Sequence, residues 1–381
     1  MQPISESQPI VPFIQGDGIG VDIMPVTIKV LDAAVEKAFN GEKQIQWRQA
    51  LAGEAALSQG LDALPLETLD ALKKASVVLK GPLATMMGDT SVNAAIRQAL
   101  NLDLCRRNIH DFSGRASLLG RPSLPLRVVM RHNEEAMDLS FADQPNLGLQ
   151  QEQVINDGLS VSHHYWSKIH TENLMKSAVD YALLYDVPCL TLVHRAHLLP
   201  HTEGLFLQWA QDWLKNNYEC HVDEQAWWFA KERGSELKIQ FLSVEAFLQQ
   251  CLNQTDLSQV VVTYCRYGDA VSDVLAAQVG GIGVVPTAHL SASQAVFEPS
   301  HGTAPKHAGQ DKANPTSLIL AGEMLLRHLG WNQAADLVHL GVANAIEQRM
   351  LTMDLAKQVE GINPISCSEF GNAVIEFIRN H

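Results

Sequence analysis

Apolar positions along the chain fall into two alternating patterns. Short continuous apolar runs are typical of buried strands, whereas longer stretches have apolar residues at the spacing of an amphipathic helix. The first run, 10–14, ends at a glycine-rich turn, 16–20, and helical spacing follows from Val21 to Phe39. Further strand-like runs lie at 77–83, 126–130, 189–193 and 260–264. This alternation predicts an α/β fold.

The turn Gly16-Asp17-Gly18-Ile19-Gly20 stands where a dinucleotide-binding fold places its phosphate-binding glycines. Its spacing is G-x-G-x-G rather than G-x-G-x-x-G, and no acidic residue ends a second strand about 20 residues further on. The sequence therefore favours an ordinary strand–helix turn over a Rossmann cofactor site.

Length and composition limit the classes of protein. The chain has 381 residues, 46% hydrophobic and 18% charged, enough for two folded lobes. Its formal net charge of −14 argues against general nucleic-acid binding, which needs clustered Lys and Arg. No apolar run approaches the ~20 residues of a membrane span, and residues 1–12 lack the features of a signal peptide. The six cysteines show no C-x-x-C pair, so we expect a cytoplasmic protein with reduced thiols.

Two segments carry the most specific pattern. Residues 300–315 read Ser-His-Gly-Thr-Ala-Pro-Lys-His-Ala-Gly-Gln-Asp-Lys-Ala-Asn-Pro, and residues 268–283 begin Gly-Asp-Ala-Val-Ser-Asp. They resemble the adenine-nucleotide loop and the metal-binding helix of the isocitrate and isopropylmalate dehydrogenase family. The resemblance extends from Ile10 to Phe377, and within the family it is greatest to the bacterial NADP-dependent isocitrate dehydrogenases.

The resemblance implies a discontinuous domain layout. Residues 1–102 and 280–381 would form a large domain, and residues 103–135 and 168–279 a small one. Residues 136–167 would form a clasp arm between subunits. In the family the small domains pair and each active site is completed by its neighbour. We therefore expect a homodimer, or a heterodimer with an active paralogue, and no nucleic-acid or membrane partner.

Carboxylate binding is implied at positions where the family contacts isocitrate, a 2-hydroxy acid. The matching residues are Ser91, Asn93, Arg97, Arg107 and Arg131. Arginine suits this role because its planar fork forms two parallel hydrogen bonds with a carboxylate. A single helical arginine is usually a solvated residue, but arginines at several matching positions favour a substrate site.

The metal site implied by the resemblance is incomplete. Asp269 and Asp273 share one helix face and can present two oxygen ligands to Mg²⁺ or Mn²⁺. A spaced Asp pair is equally common on a solvated helix face, but the surrounding pattern favours a site. The family takes a third ligand from the neighbouring subunit, and that position is Phe241 here. Phenylalanine cannot ligate a metal.

The proton-transfer positions depart most from the family. Arg195 replaces a lysine that helps to remove the hydroxyl proton, and Asp138 replaces a tyrosine acid. An arginine with a pKa above ~12 is a poor base. His132, His197 and Asp138 are alternative proton carriers, although a lone histidine is more often a structural residue.

The cofactor loop is better preserved. Lys306 and His307 stand where NADP-linked members have Lys-Tyr and NAD-linked members an acid and an apolar residue. A cation there can bind a 2′-phosphate, whereas an acid accepts from the ribose hydroxyl. NADP is therefore favoured, with NAD as the alternative. The implied cofactor contacts are Thr85, His301, Gly302, Thr303, Ala304, Lys306, His307, Asn314 and Lys357.

Two functions follow from this sequence. One is metal-dependent oxidative decarboxylation of isocitrate or a related 2-hydroxy acid with NADP. The other is that of a catalytically impaired paralogue, which binds substrate or nucleotide and regulates an active partner subunit. A purely structural role is disfavoured, because the arginines and the nucleotide loop would then have no reason to be retained.

Overall fold

Helices and strands alternate along most of the chain, as the hydrophobic pattern predicts. The computed structural model describes residues 7–84, 91–112, 124–134, 152–156, 158–162, 164–223, 226–230, 236–253 and 259–381. The predicted α/β fold class is confirmed. None of the helices in these ranges combines the length and the hydrophobicity needed to cross a bilayer.

Several helices begin at serine N-caps, and the hydroxyls of Ser91, Ser243 and Ser366 accept backbone hydrogen bonds there. The α-helices are α1 (Gly20–Phe39), α2 (Glu54–Leu57), α3 (Leu66–Lys74), α4 (Val92–Ala99), α5 (Lys168–Leu184), α6 (Glu203–Asn217), α7 (Val244–Leu252), α8 (Cys265–Ala277), α9 (Thr316–His328), α10 (Asn332–Glu347), α11 (Met353–Ala356) and α12 (Cys367–Asn380). The predicted helix 21–39 corresponds to α1.

The predicted strand-like runs at 10–14, 77–83, 126–130, 189–193 and 260–264 each correspond to a strand. In chain order the strands are β1 (Ile10–Ile14), β2 (Gln46–Gln49), β3 (Val77–Lys80), β4 (Leu104–Ile109), β5 (Arg127–His132), β6 (Glu152–Asn156), β7 (Leu159–Ser162), β8 (Cys189–His194), β9 (Cys220–Val222), β10 (Trp227–Ala230), β11 (Glu236–Ser243), β12 (Val260–Thr263), β13 (Pro286–Leu290) and β14 (Ala295–Pro299).

The chain forms two compact units. The first comprises Met1–Val129 and Asp269–His381, and the second comprises Met130–Gly268. The chain passes from one to the other within β5 and returns within α8. These bounds differ from those of the predicted domains, and most of the predicted clasp arm lies outside the described residues. The predicted domain layout therefore stays a prediction.

The first unit is built on a mostly parallel sheet with the strand order β2-β1-β3-β14-β13-β4. Strands β2, β1, β3 and β14 run parallel, whereas β13 pairs antiparallel with both β14 and β4. Helix α9 is buried along nearly its whole length. Because helices cover such a sheet, its strands read as continuous apolar runs, which explains why β1 and β3 were recognisable in the sequence.

The glycine-rich turn after β1 is required by close backbone packing. Gly16 has a φ of 87°, and a Cβ there would lie 2.7 Å from the Pro82 carbonyl oxygen. Gly18 has a φ of 54°, and a Cβ there would clash with the Thr303 carbonyl. The Ile19 N–H donates to that carbonyl at 2.8 Å. The turn therefore brings the segments before α4 and before α9 close to one another.

The second unit has its own sheet, with the strand order β12-β8-β11-β10-β9. Strand β8 runs parallel to β11 and β12, and β10 pairs antiparallel with β11 and β9. Strands β6 and β7 form a separate antiparallel pair. The helices α5 and α6 pack against each other and against β8.

Candidate active site

The ammonium group of Lys80 is buried at the end of β3 in the first unit. Lys80 Nζ forms an ion pair with Glu298 on β14 and donates to Asn93 Oδ1 at 2.8 Å and to the Gly81 carbonyl at 3.1 Å. The other carboxylate oxygen of Glu298 accepts from His289 Nε2 at 2.8 Å. Burial alone would raise the pKa of Glu298, but Lys80 and His289 outweigh it and hold the pKa well below its ordinary value.

Helix α4 carries several of the predicted substrate residues next to this cation. Ser91 is its N-cap, and the Ser91 Oγ accepts from the Ala94 N–H at 3.3 Å. Asn93 Nδ2 donates to the Leu83 carbonyl at 3.1 Å, so the amide ties the helix to the preceding turn. Arg97 lies one turn further along the same helix face. Asn93 thus lies against the Lys80 ammonium, with Ser91 and Arg97 on the same helix.

Arg107 on β4 contacts the predicted metal ligands of α8. Its Nη2 lies 2.8 Å from Asp269 Oδ1, and its Nη1 lies 3.7 Å from Asp273 Oδ1. Nη1 also donates to Ser272 Oγ at 2.5 Å, and the Ser272 hydroxyl donates to the Asp269 carbonyl at 2.8 Å. The structure therefore groups one predicted substrate arginine with both predicted metal ligands inside the first unit.

The carboxylates of Asp269 and Asp273 fit a divalent cation, with only two protein ligands. Hard oxygen donors one helical turn apart suit Mg²⁺ or Mn²⁺. Partial burial raises the pKa of Asp273, and the Asp269 carboxylate adds to this against the opposite effect of Arg107. Among the residues that the structure describes, no three His, Cys, Asp or Glu side chains come together as a metal site.

Phe241 occupies the position implied for the third ligand. It lies on β11 and packs edge-on against Trp227, with ring centroids 5.2 Å apart. The side chain is thus part of an aromatic pair in the second unit and supplies no metal-binding atom.

Arg131 is held in place near the end of β5, in the second unit. Its Nη1 donates at 2.9 Å to the His132 carbonyl and at 2.9 Å to Asn133 Oδ1. A Cβ at Gly268 would clash with Arg131 Cδ and lie 3.0 Å from Arg131 Cβ and Cγ. The roles of Asn133 and Gly268 were not predicted from the sequence. The glycine directly before Asp269 was the available signal.

Arg195 follows β8 and is engaged within the second unit. Its Nη2 lies 2.6 Å from Glu245 Oε1, and its guanidinium carbon lies 5.9 Å from the centroid of the Tyr267 ring. The hydrogen bond to Glu245 raises the pKa of Arg195 above its ordinary value. Arg195 is therefore a permanent cation and no proton acceptor. Asp138, the other substituted position, lies outside the described residues.

The two histidines considered as proton carriers differ in their surroundings. His132 is buried and packs edge-on against Phe206 and Tyr264, with ring centroids 6.0 and 5.8 Å away. Burial, with His170 and Arg131 nearby, lowers the pKa of His132 to about 3. His132 is therefore a neutral core side chain, whereas His197 is exposed.

The polar segment 300–315 forms the connection between β14 and α9. Lys306 and His307 lie in a short 3-10 helix, Pro305–His307, and both side chains are exposed. Lys357, just after α11, is also exposed. A Cβ at Gly302 would meet no atom within 4 Å, which leaves space beside the loop. Exposed cations beside open space fit the phosphates of a nucleotide.

The start of the loop is fixed through its backbone. His301 Nδ1 donates to the Gly302 carbonyl at 3.0 Å, and burial lowers the pKa of His301, so the ring is neutral near pH 7. The Thr303 carbonyl accepts from the Ile19 N–H in the turn after β1. Ala304 has a left-handed φ of 38°. Thr85 lies outside the described residues.

Asn314 anchors the end of the loop. Its Oδ1 accepts from the Thr316 N–H at 2.9 Å, and its Nδ2 donates to Asp354 Oδ2 at 2.9 Å. The Thr352 hydroxyl donates to Asp354 Oδ1 at 2.6 Å. These bonds join the start of α9 to the start of α11, which carries Lys357 at its end. The contact of Asn314 with adenine stays a prediction.

Further polar residues in or beside the core were not predicted from the sequence. Lys80, His289 and Glu298 form the network described above. In the second unit, Glu134 is buried and accepts from the Tyr165 N–H at 2.6 Å and from the Tyr264 hydroxyl at 2.8 Å. A charged residue inside or directly after an apolar strand was the signal, because such groups are rarely buried unless they are paired.

The two-unit α/β architecture, the cluster of Arg107 with Asp269 and Asp273, and the cationic loop before α9 are features that the resemblance to a dehydrogenase family implies. The chain belongs to the isocitrate/isopropylmalate dehydrogenase family, which it matches over residues 10–374. The family predicted from the sequence is thereby confirmed.

Similar proteins include NADP-dependent isocitrate dehydrogenases of several bacteria. The chain is 41% identical to that of Pseudomonas aeruginosa, over 96% of this chain and 93% of the relative. It is 40% identical to that of Coxiella burnetii, over 97% and 92%. A crystal structure of isocitrate dehydrogenase from Methylococcus capsulatus is similar with a TM-score of 0.80 and 30% identity, covering 97% of this chain and 99% of that one.

Proposed function

We propose that this protein is an isocitrate dehydrogenase-like oxidoreductase that binds isocitrate or a related 2-hydroxy acid together with NADP, and that its turnover is slow. The similar proteins named NADP-dependent isocitrate dehydrogenases support the reaction class. The observation that supports the site most is the grouping of Arg107 with Asp269 and Asp273.

The arginines would bind the carboxylates of the substrate. Arg97 and Arg107 come from α4 and β4, which follow one another in the chain, and Arg131 is fixed by Asn133. A guanidinium held in one rotamer loses less conformational freedom when it binds, so Asn133 raises the affinity of Arg131 for a carboxylate.

The remaining residues would hold the cofactor and the metal. Asp269 and Asp273 would bind the cation, and Lys306, His307 and Lys357 would contact the nucleotide phosphates. When bound, NADP supplies the hydride acceptor, and Mg²⁺ or Mn²⁺ supplies polarisation of the hydroxyl and keto oxygen. The Lys80–Glu298 ion pair joins the end of β3 to β14.

Slow turnover follows from the proton-transfer positions. Oxidation of the hydroxy acid releases the hydroxyl proton, and loss of carbon dioxide leaves an enol that must take up a proton at carbon. Arg195, charged and paired with Glu245, does not accept the first proton. Each proton-transfer group contributes about 10²–10⁴-fold to a rate, so replacing both base and acid lowers turnover by several powers of ten.

A steady-state assay tests the reaction. NADP⁺ and NAD⁺ reduction is measured with isocitrate, isopropylmalate, malate and tartrate, with Mn²⁺ and with a chelator. We expect slow, metal-dependent turnover with isocitrate and NADP⁺. Ligand binding without any turnover would instead favour a regulatory role, and the absence of both would refute the proposal.

Calorimetry tests the cofactor. Charge-assisted hydrogen bonds to a phosphate are worth ~1.5–3 kcal/mol, so NADP should bind more tightly than NAD and Lys306→Asp should remove the preference. Lys312→Asp makes the same change of charge elsewhere in the loop and is the control. Equal affinities in the wild type, or equal effects of both variants, would contradict the assignment.

A regulatory role is the second candidate, and the second unit favours it. Arg195 is engaged by Glu245 and Tyr267, and Phe241 packs on Trp227. In the family these two positions are donated to the neighbouring subunit. A chain that keeps its own pocket but donates neither group would regulate an intact paralogue in a mixed dimer.

Co-expression with an active isocitrate dehydrogenase from the same cell tests this role. Native mass spectrometry should detect mixed dimers, and the activity of the partner should change. Homodimers alone, with an unchanged activity of the partner, would rule the regulatory role out.

A further inference from the structure

The carboxylate pair of α8 already has a counter-ion from the protein. The Arg107 side chain is 13% exposed, whereas those of Asp269 and Asp273 are 56% and 57% exposed. The guanidinium therefore contacts the carboxylates from the buried side, and both carboxylate side chains are more than half exposed. A divalent cation on these oxygens would stand within a few ångströms of a fixed positive charge.

Two like charges at such a distance repel strongly in a partly buried site. A cation can then bind tightly only if the guanidinium moves away or its charge is shared with a bound anion. Arg107 has donors suited to this exchange. Its two terminal nitrogens carry the contacts to Asp269, Asp273 and Ser272, and its Nε is buried without a hydrogen-bond partner among the described residues.

We propose that Arg107 exchanges between the aspartates and a substrate carboxylate, and thereby couples anion binding to cation binding. In the ligand-free protein it neutralises Asp269 and Asp273 and weakens cation binding. A carboxylate that takes up the Nε and Nη donors draws the guanidinium away and frees the aspartates for the cation. The identity of the anion rests on the proposed function. The competition between Arg107 and the cation for the aspartates does not.

Ser272 sets the resting position of the guanidinium. Its hydroxyl accepts from Arg107 Nη1 and is itself held by the Asp269 carbonyl. Removing the hydroxyl loosens the arginine without changing any charge. Coupling of this kind is reciprocal, so the cation should also strengthen anion binding by the same factor.

Strand β4 offers a matched control. Arg106 precedes Arg107, and successive side chains of a strand point to opposite faces. Arg106 lies close enough to Glu323 and His328 to influence their pKa values. Arg106→Met therefore removes the same charge one residue away, on the face that does not contact the aspartates.

The experiment measures the binding of Mn²⁺ alone to the full-length protein, by calorimetry or by the electron paramagnetic resonance of free Mn²⁺. Arg107→Met should tighten Mn²⁺ binding about tenfold, within the ~5–150-fold range of site-to-site coupling. Ser272→Ala should tighten it by a smaller factor, and Arg106→Met should change it less than about twofold. Thermal melting identifies any variant that fails to fold. If Arg107→Met does not fold, the Mn²⁺ affinity of Ser272→Ala decides whether Arg107 competes with the cation.

The outcomes separate this proposal from the proposed function. Unchanged or weaker Mn²⁺ binding in Arg107→Met and Ser272→Ala would overturn the exchange, as would equal tightening in Arg106→Met. Isocitrate should tighten Mn²⁺ binding in the wild type by a larger factor than in Arg107→Met. A wild type that does not bind isocitrate at all would refute the proposed function, while the Mn²⁺ results of the variants would still decide the role of Arg107.

Discussion

Each of the two units contains an ion pair beside its candidate functional residues, and the two pairs differ in their access to water. In the first unit, the side chains of Lys80 and Glu298 are 4% and 14% exposed, and Asn93 and His289 complete the network. In the second unit, the side chains of Arg195 and Glu245 are 36% and 44% exposed. Solvent screens the second pair and hardly screens the first.

This difference separates residues that hold the fold from residues that can change without disturbing it. A buried charge without its partner is strongly destabilising, so the Lys80 network resists substitution. An exposed pair contributes little to stability, so an arginine at position 195 with Glu245 beside it is easily accommodated. Function can therefore be altered at position 195 while the elements of the first unit that we propose to bind carboxylates stay intact.

The largest expected effect on stability comes from breaking the buried pair. Glu298→Gln leaves the Lys80 ammonium buried beside a neutral amide, and we expect a loss of ~3–5 kcal/mol in the free energy of unfolding. Glu245→Gln is the control and should leave the free energy of unfolding almost unchanged. Similar losses in both variants, measured by urea denaturation, would remove the contrast between the two units.

The pH dependence of the same pair has a definite sign. The pKa of Glu298 lies well below its ordinary value in the folded protein. Its contribution to stability is therefore complete above the unfolded pKa of ~4.3 and is lost as the pH falls towards the folded pKa. The difference in stability between wild type and Glu298→Gln should accordingly shrink below about pH 4.

A smaller effect should follow from displacing Arg131 in the second unit. Ala at position 268 would clash with the Arg131 side chain and separate its guanidinium from Asn133. We expect Gly268→Ala to weaken isocitrate binding by about 10- to 100-fold, the loss of one or two charge-assisted hydrogen bonds. Gly204→Ala in α6 is the control, because a Cβ there meets only ordinary contacts at 3.8 Å. Unchanged isocitrate affinity in Gly268→Ala would show that Arg131 is not held as described.

The last effect, spread over several pH units, concerns the acid side of the stability curve. The pKa of His132 is lowered to about 3 in the folded protein, so the unfolded chain binds more protons between that pH and ~6.5. Stability should fall with decreasing pH through this window, by at most about 1.4 kcal/mol per pH unit for this group. His132→Leu should flatten the fall between pH 6.5 and 5, whereas His381→Gln, at the exposed end of the chain, should not. If the stability of His132→Leu fell with decreasing pH as steeply as that of the wild type, other groups would cause the acid sensitivity.

The parts of the fold with local signals were predictable from the sequence. The apolar runs of β1, β3, β8 and β12 and the helical spacing of α1 corresponded closely to the structure, because periodicity is a property of neighbouring residues. The grouping of Asp269 with Asp273 followed from the helical period in the same way.

Partnerships between distant segments were not predictable. Lys80 and Glu298 are far apart in the sequence, with the whole second unit between them, and Arg107 meets Asp269 only because β4 and α8 come together in the folded chain. The pairing of Arg195 with Glu245 likewise depends on the register of β8 with β11, from which α7 continues. A sequence pattern can indicate that a charge needs a partner, but tertiary structure selects the partner.

The central claim is that substrate binding has been retained while proton transfer is impaired. Its most direct test is the turnover of isocitrate by the wild type and by the triple variant Arg195→Lys, Asp138→Tyr and Phe241→Asp, with isocitrate affinity measured on the same preparations. We predict measurable binding by both, wild-type turnover far below an ordinary ~10 s⁻¹, and a gain in the triple variant that exceeds the combined gains of the single changes. Wild-type turnover near ~10 s⁻¹, or a triple variant no faster than the wild type, would contradict the account.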